Sequence, residues 1–284
     1  MNDNLMVPTL SLNDQIEKAI SLAYSVLQMR GSEYHTNADA DLFIERLSKV
    51  LHVECDYELA KRFRKGVRVE VDKEIAAIFY EIAANKGKRE AQYQIGRYYE
   101  KGKYVPKDLS KAFSYYGMAA EQGHIDASYK MGLFNINGEI IPKNIHEAIS
   151  WFEKAATFNN GSYCVFLGKL YEKGELIAKD IEKAKHYYQI AIDAGYLGGN
   201  IALGNLLMNE EHGEIDYERA AENFQKAADK GDVYGFIHLG DLASIQGLCP
   251  IDWYEKAKEL GSKLAHNKVN DYLISLESWQ NDIT

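Results

Sequence analysis

Proline and cysteine are scarce in this 284-residue chain, and each scarcity excludes a class of protein. The 4 prolines, and the lack of any serine- or glycine-rich tract, argue against long disordered linkers. The 3 cysteines are odd in number and widely scattered, so they form neither a disulfide framework nor a CxxC metal site. This cysteine usage favours a reducing compartment, and we expect a cytoplasmic protein.

Long apolar runs are missing as well. No stretch reaches the ~20 apolar residues of a membrane span. The segment Met1–Leu12 has neither a basic region nor an unbroken apolar core, so no secretory signal is expected. We therefore expect no membrane association.

The sequence also lacks clusters of catalytic or metal-ligating residues. No two of the 8 histidines have a metal-ligand spacing such as HExxH, and no acid, base and nucleophile are grouped as catalysis requires. Neither a metal nor another cofactor is expected, and a hydrolase-type enzyme remains only as the alternative from a different functional class. His124 lies near a predicted turn and is expected to be solvated. His238 lies on the surface proposed below, where it would be placed to sense pH.

The net charge of −9 is unevenly distributed along the chain. Residues 55–130 include fifteen basic and eleven acidic residues, whereas residues 1–54 include four and eight. An acidic chain disfavours general binding to nucleic acid, although a basic segment with aromatic residues also suits a single strand. Protein binding therefore ranks above nucleic-acid binding.

The sequence is rich in periodicity, because small residues recur every 36 positions in several columns. The clearest column consists of Gly96, Gly132, Gly168, Gly204 and Gly240. A second column consists of Gly66, Gly102, Gly138 and Gly174. This period is typical of stacked helix pairs, in which each pair buries its apolar face only when a neighbour stacks on it.

Each period contains two predicted helices. In helix A, apolar or small residues such as Ala91, Ile95 and Tyr99 form one face. We infer that the glycine inside this helix, Gly96, is tolerated because a neighbouring helix approaches closely. Helix B begins at Asp108 and its counterparts at 36-residue steps, which are good N-cap residues. The prediction is an all-α fold of antiparallel helix pairs.

Three regions are predicted: residues 1–54, residues 55–264 and residues 265–284. The first is a cap or degenerate repeat with amphipathic helices at Asn13–Arg30 and Asp39–Leu51. The second holds six repeats, and the last of them aligns only if about six loop residues are deleted. The third is a C-terminal capping helix, roughly Lys268 to Trp279. The predicted repeats span 55–90, 91–126, 127–162, 163–198, 199–234 and 235–264.

The columns resemble those of the Sel-one-like repeat, a relative of the tetratricopeptide repeat. The best-matching positions are Ala91, Ile95, Gly96, Tyr99, Gly102, Asp108, Lys111, Ala112, Tyr116, Ala119, Ala120, Gly123 and Ala127. The resemblance covers residues 55–264 and implies a right-handed α-α superhelix whose helices A line a concave groove that grips protein partners. It also implies two bacterial roles, an immunity protein that neutralises a toxin and an adaptor in signalling or secretion. Glu210 departs from the pattern by replacing a loop glycine, so a local change of twist is expected there.

If helices A face the groove, their non-core positions supply the partner-binding residues. Basic and aromatic residues alternate at these positions: Arg62, Arg97, Tyr98, Lys101, Lys130, Phe134, Phe166, Lys169 and Lys173. Aromatic residues and arginines are enriched at interface hot spots, so we predict a partner protein with an acidic or phosphate-bearing surface. The alternative is that the lysines solvate a helix face and the rings pack between repeats. The choice between toxin inhibitor and adaptor stays open, as does the oligomeric state.

Overall fold

The computed structural model describes residues 52–157 and 160–283, with side chains to residue 275, and a few positions before them. Over these residues the chain forms thirteen α-helices and one short 3-10 helix, with no strand, which confirms the all-α prediction. The predicted helices Asn13–Arg30 and Asp39–Leu51 lie outside the described residues, apart from four helical positions. These positions are Asp14, Glu17, Lys18 and Ser21.

Helices A and B alternate along the chain. The helices A are α1 (Val53–Lys65), α3 (Arg89–Lys101), α5 (Ile125–Asn137), α7 (Gly161–Lys173), α9 (Leu197–Leu207) and α11 (Val233–Ile245). The helices B are α2 (Lys73–Asn85), α4 (Leu109–Glu121), α6 (Ile145–Ala156), α8 (Ile181–Asp193), α10 (Tyr217–Asp229) and α12 (Ile251–Glu259). The last helix is α13 (Lys263–Ile283).

The helices form two compact units, residues 1–151 and 152–284. In the first unit, α1 to α4 each pack on the next helix along the chain. In the second unit, α7 to α12 do the same, and the helices A also contact one another, α7 with α9 and α9 with α11. Side chains of successive helices A therefore share a surface in the second unit.

The predicted helix ends are confirmed. The side-chain oxygens of the five predicted N-cap residues of helices B accept backbone N–H groups of the first turn at 2.9–3.1 Å. Each such cap contributes about 1 kcal/mol to stability. Gly102 ends α3 in the left-handed conformation, with φ 61°, where a side chain is disfavoured. Where Glu210 replaces this glycine, α9 stops early at Leu207 and the 3-10 helix Glu210–His212 follows, a local change at the predicted position.

The glycine inside helix A contacts an aromatic ring of helix B. A Cβ added at Gly96 would lie 3.0 Å from ring carbons of Tyr116, tighter than an ordinary van der Waals contact. The same contact recurs between Gly168 and Tyr188, between Gly204 and Phe224, and between Gly240 and Tyr254. The predicted close approach is confirmed, and a fully buried ring makes it.

The last repeat is shortened in an unexpected way. The loop before α12 has five residues, against seven before α4, and α12 itself has nine residues against thirteen. The prediction that about six loop residues are deleted was therefore wrong, because four of them come from the first turn of helix B. This trimming keeps Tyr254 against Gly240, so the contact between the two helices of the pair is retained.

The C-terminal helix α13 packs as a further helix A would. It begins at Lys263, five residues before the predicted start at Lys268, and packs on α12. Ala265 and Val269 on α13 are buried, as Ala127 and Met131 are at the equivalent positions of α5. The first two turns of α13 therefore cover the end of the last pair.

Candidate functional site

A basic pocket of about 330 Å³ lies in the first unit. The end of α1, the start of α2, α3 and the loop after α3 line it. Its lining residues are Arg64, Lys73, Gln94, Arg97, Tyr98, Lys101, Lys103 and Tyr104. Five of them are cationic and none is acidic, so the net charge of the lining is positive.

Two tyrosines form the aromatic part of the basic pocket. The Tyr98 ring meets the Tyr104 ring edge to face, with centroids 5.1 Å apart, and contacts Tyr80 at 5.9 Å on its other side. The Lys73 ammonium lies 5.5 Å from the Tyr104 ring centroid, within cation–π range. Burial raises the pKa of Tyr98, so its hydroxyl keeps its proton at neutral pH and remains a hydrogen-bond donor.

A larger pocket of about 840 Å³, the tyrosine pocket, lies in the second unit between helices A. Its lining residues are Val165, Lys169, Glu172, Lys173, Tyr188, Gly195, Tyr196, Leu197, Gly198, Ile201, Ala202, Asn205, Asp232 and Tyr234. Lys169 is exposed and has no ion pair with a described residue, and Lys173 has only a long contact of 3.9 Å with Glu175. The tyrosine pocket therefore combines an apolar floor with two lysines, Lys169 and Lys173, and two acids, Glu172 and Asp232.

The exposed aromatic side chains are gathered in these two pockets. Tyr104, Tyr196 and Tyr234 are 40%, 43% and 60% exposed, and all other aromatic side chains described are less exposed. Tyr104 lines the basic pocket, and the other two line the tyrosine pocket. Exposed rings are therefore confined to places where a ligand would touch them.

Five of the nine predicted partner-binding residues lie in the pockets. Arg97, Tyr98 and Lys101 line the basic pocket, and Lys169 and Lys173 line the tyrosine pocket. Their role in binding stays a prediction.

The other four predicted residues have intramolecular contacts. Arg62 donates to Glu17 at 2.9 Å, and Lys130 pairs with Glu100 at 2.7 Å. Phe134 is 7% exposed and contacts Phe113 and Tyr116, with centroids 5.5 and 6.2 Å away. Phe166 packs edge to face on Phe152 at 4.9 Å. Phe134 offers so little surface that it suits packing between repeats better than contact with a partner.

Several pocket residues were not predicted from the sequence, because only four non-core positions of each helix A were taken as candidates. Arg64 lies outside those positions, and Lys73, Lys103 and Tyr104 belong to helix B or to the loop. Tyr196 had a detectable signal, since the equivalent turn positions of other repeats are polar: Lys88, His124, Asn160 and Asp232.

The histidines and acids of the described residues do not form a metal site. His124 is half-buried and stacks on Tyr93 at 4.2 Å, and burial lowers its pKa, so the expectation that it is solvated was wrong. Among the described residues, no group of three or more His, Cys, Asp or Glu side chains is placed to hold a metal ion. In the same part of the chain, no helix combines the length and apolarity needed to cross a membrane.

A family model for a sequence repeat matches more than half of the chain. The Sel1 repeat profile matches residues 53–88, 89–124, 125–157, 162–196, 199–232 and 251–262. The first five matches begin within two residues of the start of a helix A, and the last begins with α12, a helix B. No curated protein matches the sequence.

Solved structures share the fold. One is c5321, a protective antigen of uropathogenic Escherichia coli strains with an SLR fold: TM-score 0.67, 22% identity, covering 92% of this chain and 57% of that one. Another is a Sel1 repeat protein from Oxalobacter formigenes: TM-score 0.63, 24% identity, covering 86% and 99%. A third is yeast Tom70: TM-score 0.52, 14% identity, covering 95% and 56%.

At these identities the likeness concerns the fold alone, and the chain spans little more than half of the E. coli protein. The repeat match is more specific, because the matched segments coincide with the helix pairs described above. Sel1 repeats mediate protein–protein interaction. This chain belongs to the Sel1 repeat family.

Proposed function

We propose that this chain is a non-enzymatic module that binds a protein partner through the basic pocket and the tyrosine pocket. The observation that supports it best is the confinement of the exposed rings of Tyr104, Tyr196 and Tyr234 to these pockets. Tyrosine gives a large contact area at low entropic cost, and it is enriched at the centres of protein interfaces.

The tyrosine pocket has the composition of an interface centre. Val165, Ile201 and Ala202 form an apolar floor for an inserted side chain, and Lys169 and Lys173 add charge beside it. Apolar burial supplies affinity, while the lysines favour and orient an acidic partner. An acidic chain has no need of these cations for solubility, which favours a binding role for them.

The test is a pull-down of native cell extract with the full chain, followed by affinity measurement on the captured protein. One variant combines Tyr196→Ala with Tyr234→Ala, and a second combines Lys169→Glu with Lys173→Glu. The control for charge is Lys226→Glu with Lys230→Glu, two exposed lysines four residues apart at the end of α10, outside both pockets. We expect each pocket variant to weaken binding by at least about tenfold, which corresponds to about 1.4 kcal/mol. We expect the control to bind as the wild type does.

The same experiment separates the two forms of the proposal. An immunity-type inhibitor would capture one stoichiometric protein whose own toxic activity it suppresses, with nanomolar or tighter affinity. An adaptor would capture several partners more weakly. Partners that bind both variants and the wild type equally would exclude the tyrosine pocket as a binding surface. An enzyme remains the alternative from a different class, and turnover of a captured partner would support it.

A further inference from the structure

The basic pocket holds five cations without counter-ions. Among the described residues, no carboxylate lies within ion-pair distance of any of them, and none lines the pocket. The five are Arg64, Lys73, Arg97, Lys101 and Lys103. Several other cations of the same unit are paired at 2.6–2.9 Å, including Arg62 with Glu17 and Lys86 with Asp56. Five like charges around about 330 Å³ repel one another unless an anion joins them.

Arg64 gives a second indication that the basic pocket suits an anion. Its Nε is buried and has no hydrogen-bond partner within the described part of the chain. Buried polar groups in native proteins nearly always have a partner, and an unpaired group on a charged side chain is costly. An anion in the basic pocket would offset this cost by lying against the guanidinium that carries this N–H group.

In the preceding repeat, the equivalent part of the surface binds a carboxylate. Tyr98 and Tyr104 lie 36 residues after Arg62 and Arg68, so the two pairs occupy equivalent positions. Arg62 and Arg68 both donate to Oε1 of Glu17, at 2.9 and 2.7 Å. The same two positions thus bind a carboxylate in one repeat and line the basic pocket in the next.

The loop that carries Tyr104 is conformationally demanding. Tyr104 has φ 67°, in the left-handed region that a residue with a bulky side chain rarely adopts, and Arg68 has φ 61° at the equivalent position. In both repeats the strained residue faces the anion or the pocket. Strained backbone of this kind persists where the surroundings hold it, and it clusters at binding sites.

The charge density of the basic pocket favours anions that carry more than one negative charge. A carboxylate has one negative charge, whereas a phosphate monoester carries about −1.5 to −2 at neutral pH and three acceptor oxygens. Guanidinium groups such as those of Arg64 and Arg97 match phosphate with paired donors, and Lys101 and Lys103 add point charges. A compact dianion therefore satisfies the basic pocket better than a single carboxylate does.

A nucleic-acid backbone fits the surroundings less well. A strand needs cations that continue along its phosphates, as the salt dependence of such binding shows. In the repeats before and after, Arg62 and Lys130 are already paired with Glu17 and Glu100. The positive charge of the basic pocket is therefore not continued by Arg62 or Lys130, which suits a single phosphate group better than a strand.

We propose that the basic pocket binds the phosphate group of a phosphorylated side chain on the protein partner. This inference rests on the protein-binding function proposed above and adds the chemistry of the contact. Arg64 and Arg97 would hold the phosphate oxygens, Lys101 and Lys103 would balance its charge, and Tyr98 and Tyr104 would pack on the side chain that carries it.

The first experiment uses two small probes of similar shape, phenyl phosphate and phenyl sulfate, titrated into the full chain by calorimetry at neutral pH. We expect phenyl phosphate to bind at least tenfold more tightly, because phenyl sulfate carries only one charge. Lys101→Ala with Lys103→Ala should weaken phenyl phosphate binding at least tenfold. Both lysines are exposed, so the fold should be kept, and unchanged helical circular dichroism would verify it. Lys226→Ala with Lys230→Ala is the control and should bind as the wild type does.

Equal binding of the two probes, or unchanged binding by the lysine variant, would overturn the inference. So would a single-stranded oligonucleotide that displaces phenyl phosphate at lower concentration than a phosphoserine peptide does. Phosphatase treatment of the captured partner separates the two proposals. A partner that still binds after this treatment, and is lost in the tyrosine-pocket variant, keeps the proposed function and excludes the phosphate contact. Capture of no partner rejects the protein-binding function, while tight phenyl phosphate binding would still support the ligand chemistry of the pocket.

Discussion

Tyr116 donates a hydrogen bond from its hydroxyl to Oε2 of Glu100 at 2.6 Å, joining helix B to helix A of the same repeat. Lys130, from the helix A of the next repeat, pairs with the other oxygen of Glu100 at 2.7 Å. Burial raises the pKa of Glu100, but the bonds from Lys130 and Tyr116 outweigh it, so the net shift is downward. Glu100 is thus held ionised between three successive helices.

The same arrangement recurs in the second unit. Tyr188 donates to Glu172, which lies 3.4 Å from His212. Tyr254 donates to Asp241 at 2.7 Å, and Lys268 of α13 pairs with the same oxygen at 2.6 Å. A buried tyrosine, an acid and a group from the following segment therefore connect one repeat to the next.

The first prediction concerns the Tyr116 hydroxyl. Tyr116→Phe keeps the ring against Gly96 but removes a donor from Glu100, so the free energy of unfolding should fall by about 1–2 kcal/mol. Urea unfolding followed by circular dichroism measures it. Tyr217→Phe is the control, because the hydroxyl of this half-buried tyrosine has no hydrogen-bond partner among the described residues. If the two variants lose the same stability, the hydrogen bond to Glu100 contributes nothing.

The second prediction compares two helical glycines. A Cβ at Gly168 would overlap ring carbons of Tyr188, whereas a Cβ at Gly117 would meet the end of the Met131 side chain at ordinary distances of 3.7 and 3.9 Å. Gly168→Ala should therefore destabilise the protein by about 1–3 kcal/mol through overpacking. Gly117→Ala should stabilise it by up to about 1 kcal/mol, since alanine is the better helix former. Thermal melts would show opposite shifts, and a rise in Tm for both would contradict the packing of Tyr188 on Gly168.

The repeat architecture could be predicted because its determinants are local. Asp108 caps helix B and Gly102 ends helix A through contacts within a few residues, and these residue types recur at a fixed step. The shortened repeat shows the limit of this reasoning. The alignment gave the number of missing residues, but only the contact of Tyr254 with Gly240 shows that most of them come from helix B.

The candidate site could be predicted only in part, because its charges are set by contacts between repeats. Lys130 and Lys101 look alike in the sequence, yet Lys130 is neutralised by Glu100, 30 residues earlier, and Lys101 is not. In the sequence, nothing distinguishes Phe134 from an exposed ring, because its burial depends on contacts with Phe113 and Tyr116. Pairing and burial of this kind depend on which side chains face each other, which the 36-residue period does not determine.

The third prediction is a pH dependence of stability from His238. This half-buried ring stacks on Phe224 with centroids 4.9 Å apart, and burial lowers its pKa below 6.5 although Asp241 opposes the shift. As the pH falls through 6.5 the unfolded chain takes up a proton before the folded chain does, so the free energy of unfolding should fall below that pH. His238→Gln should reduce this fall between pH 7.5 and 5.5, even if the variant is less stable throughout.

Other histidines provide an internal check and a control for the His238 experiment. Burial lowers the pKa of His124 as well, so part of the pH dependence should remain in His238→Gln. His146→Gln, at an exposed position, is the control for replacement of a histidine and should follow the wild type. An identical pH dependence in His238→Gln and the wild type would show that His238 does not titrate differently in the two states.

The last prediction concerns Glu17, which precedes the repeats and lies against the first one. Hydrogen bonds from Arg62 and Arg68 lower the pKa of this exposed carboxyl group, so it stays ionised at neutral pH and occupies both arginines. Glu17→Gln would remove the negative charge that offsets Arg62 and Arg68, so affinity for an acidic partner should rise severalfold in 50 mM salt and less in 300 mM salt, because salt screens exposed charges. Glu182→Gln is the matched control, since Glu182 pairs with Lys185 at 2.8 Å on α8, away from both pockets.

An increase in affinity in both variants would reflect net charge alone, whereas an increase confined to Glu17→Gln would show that Glu17 competes with the partner for Arg62. An unchanged affinity in low salt would remove Arg62 from the binding surface and leave the basic pocket as the acidic partner's contact in the first unit.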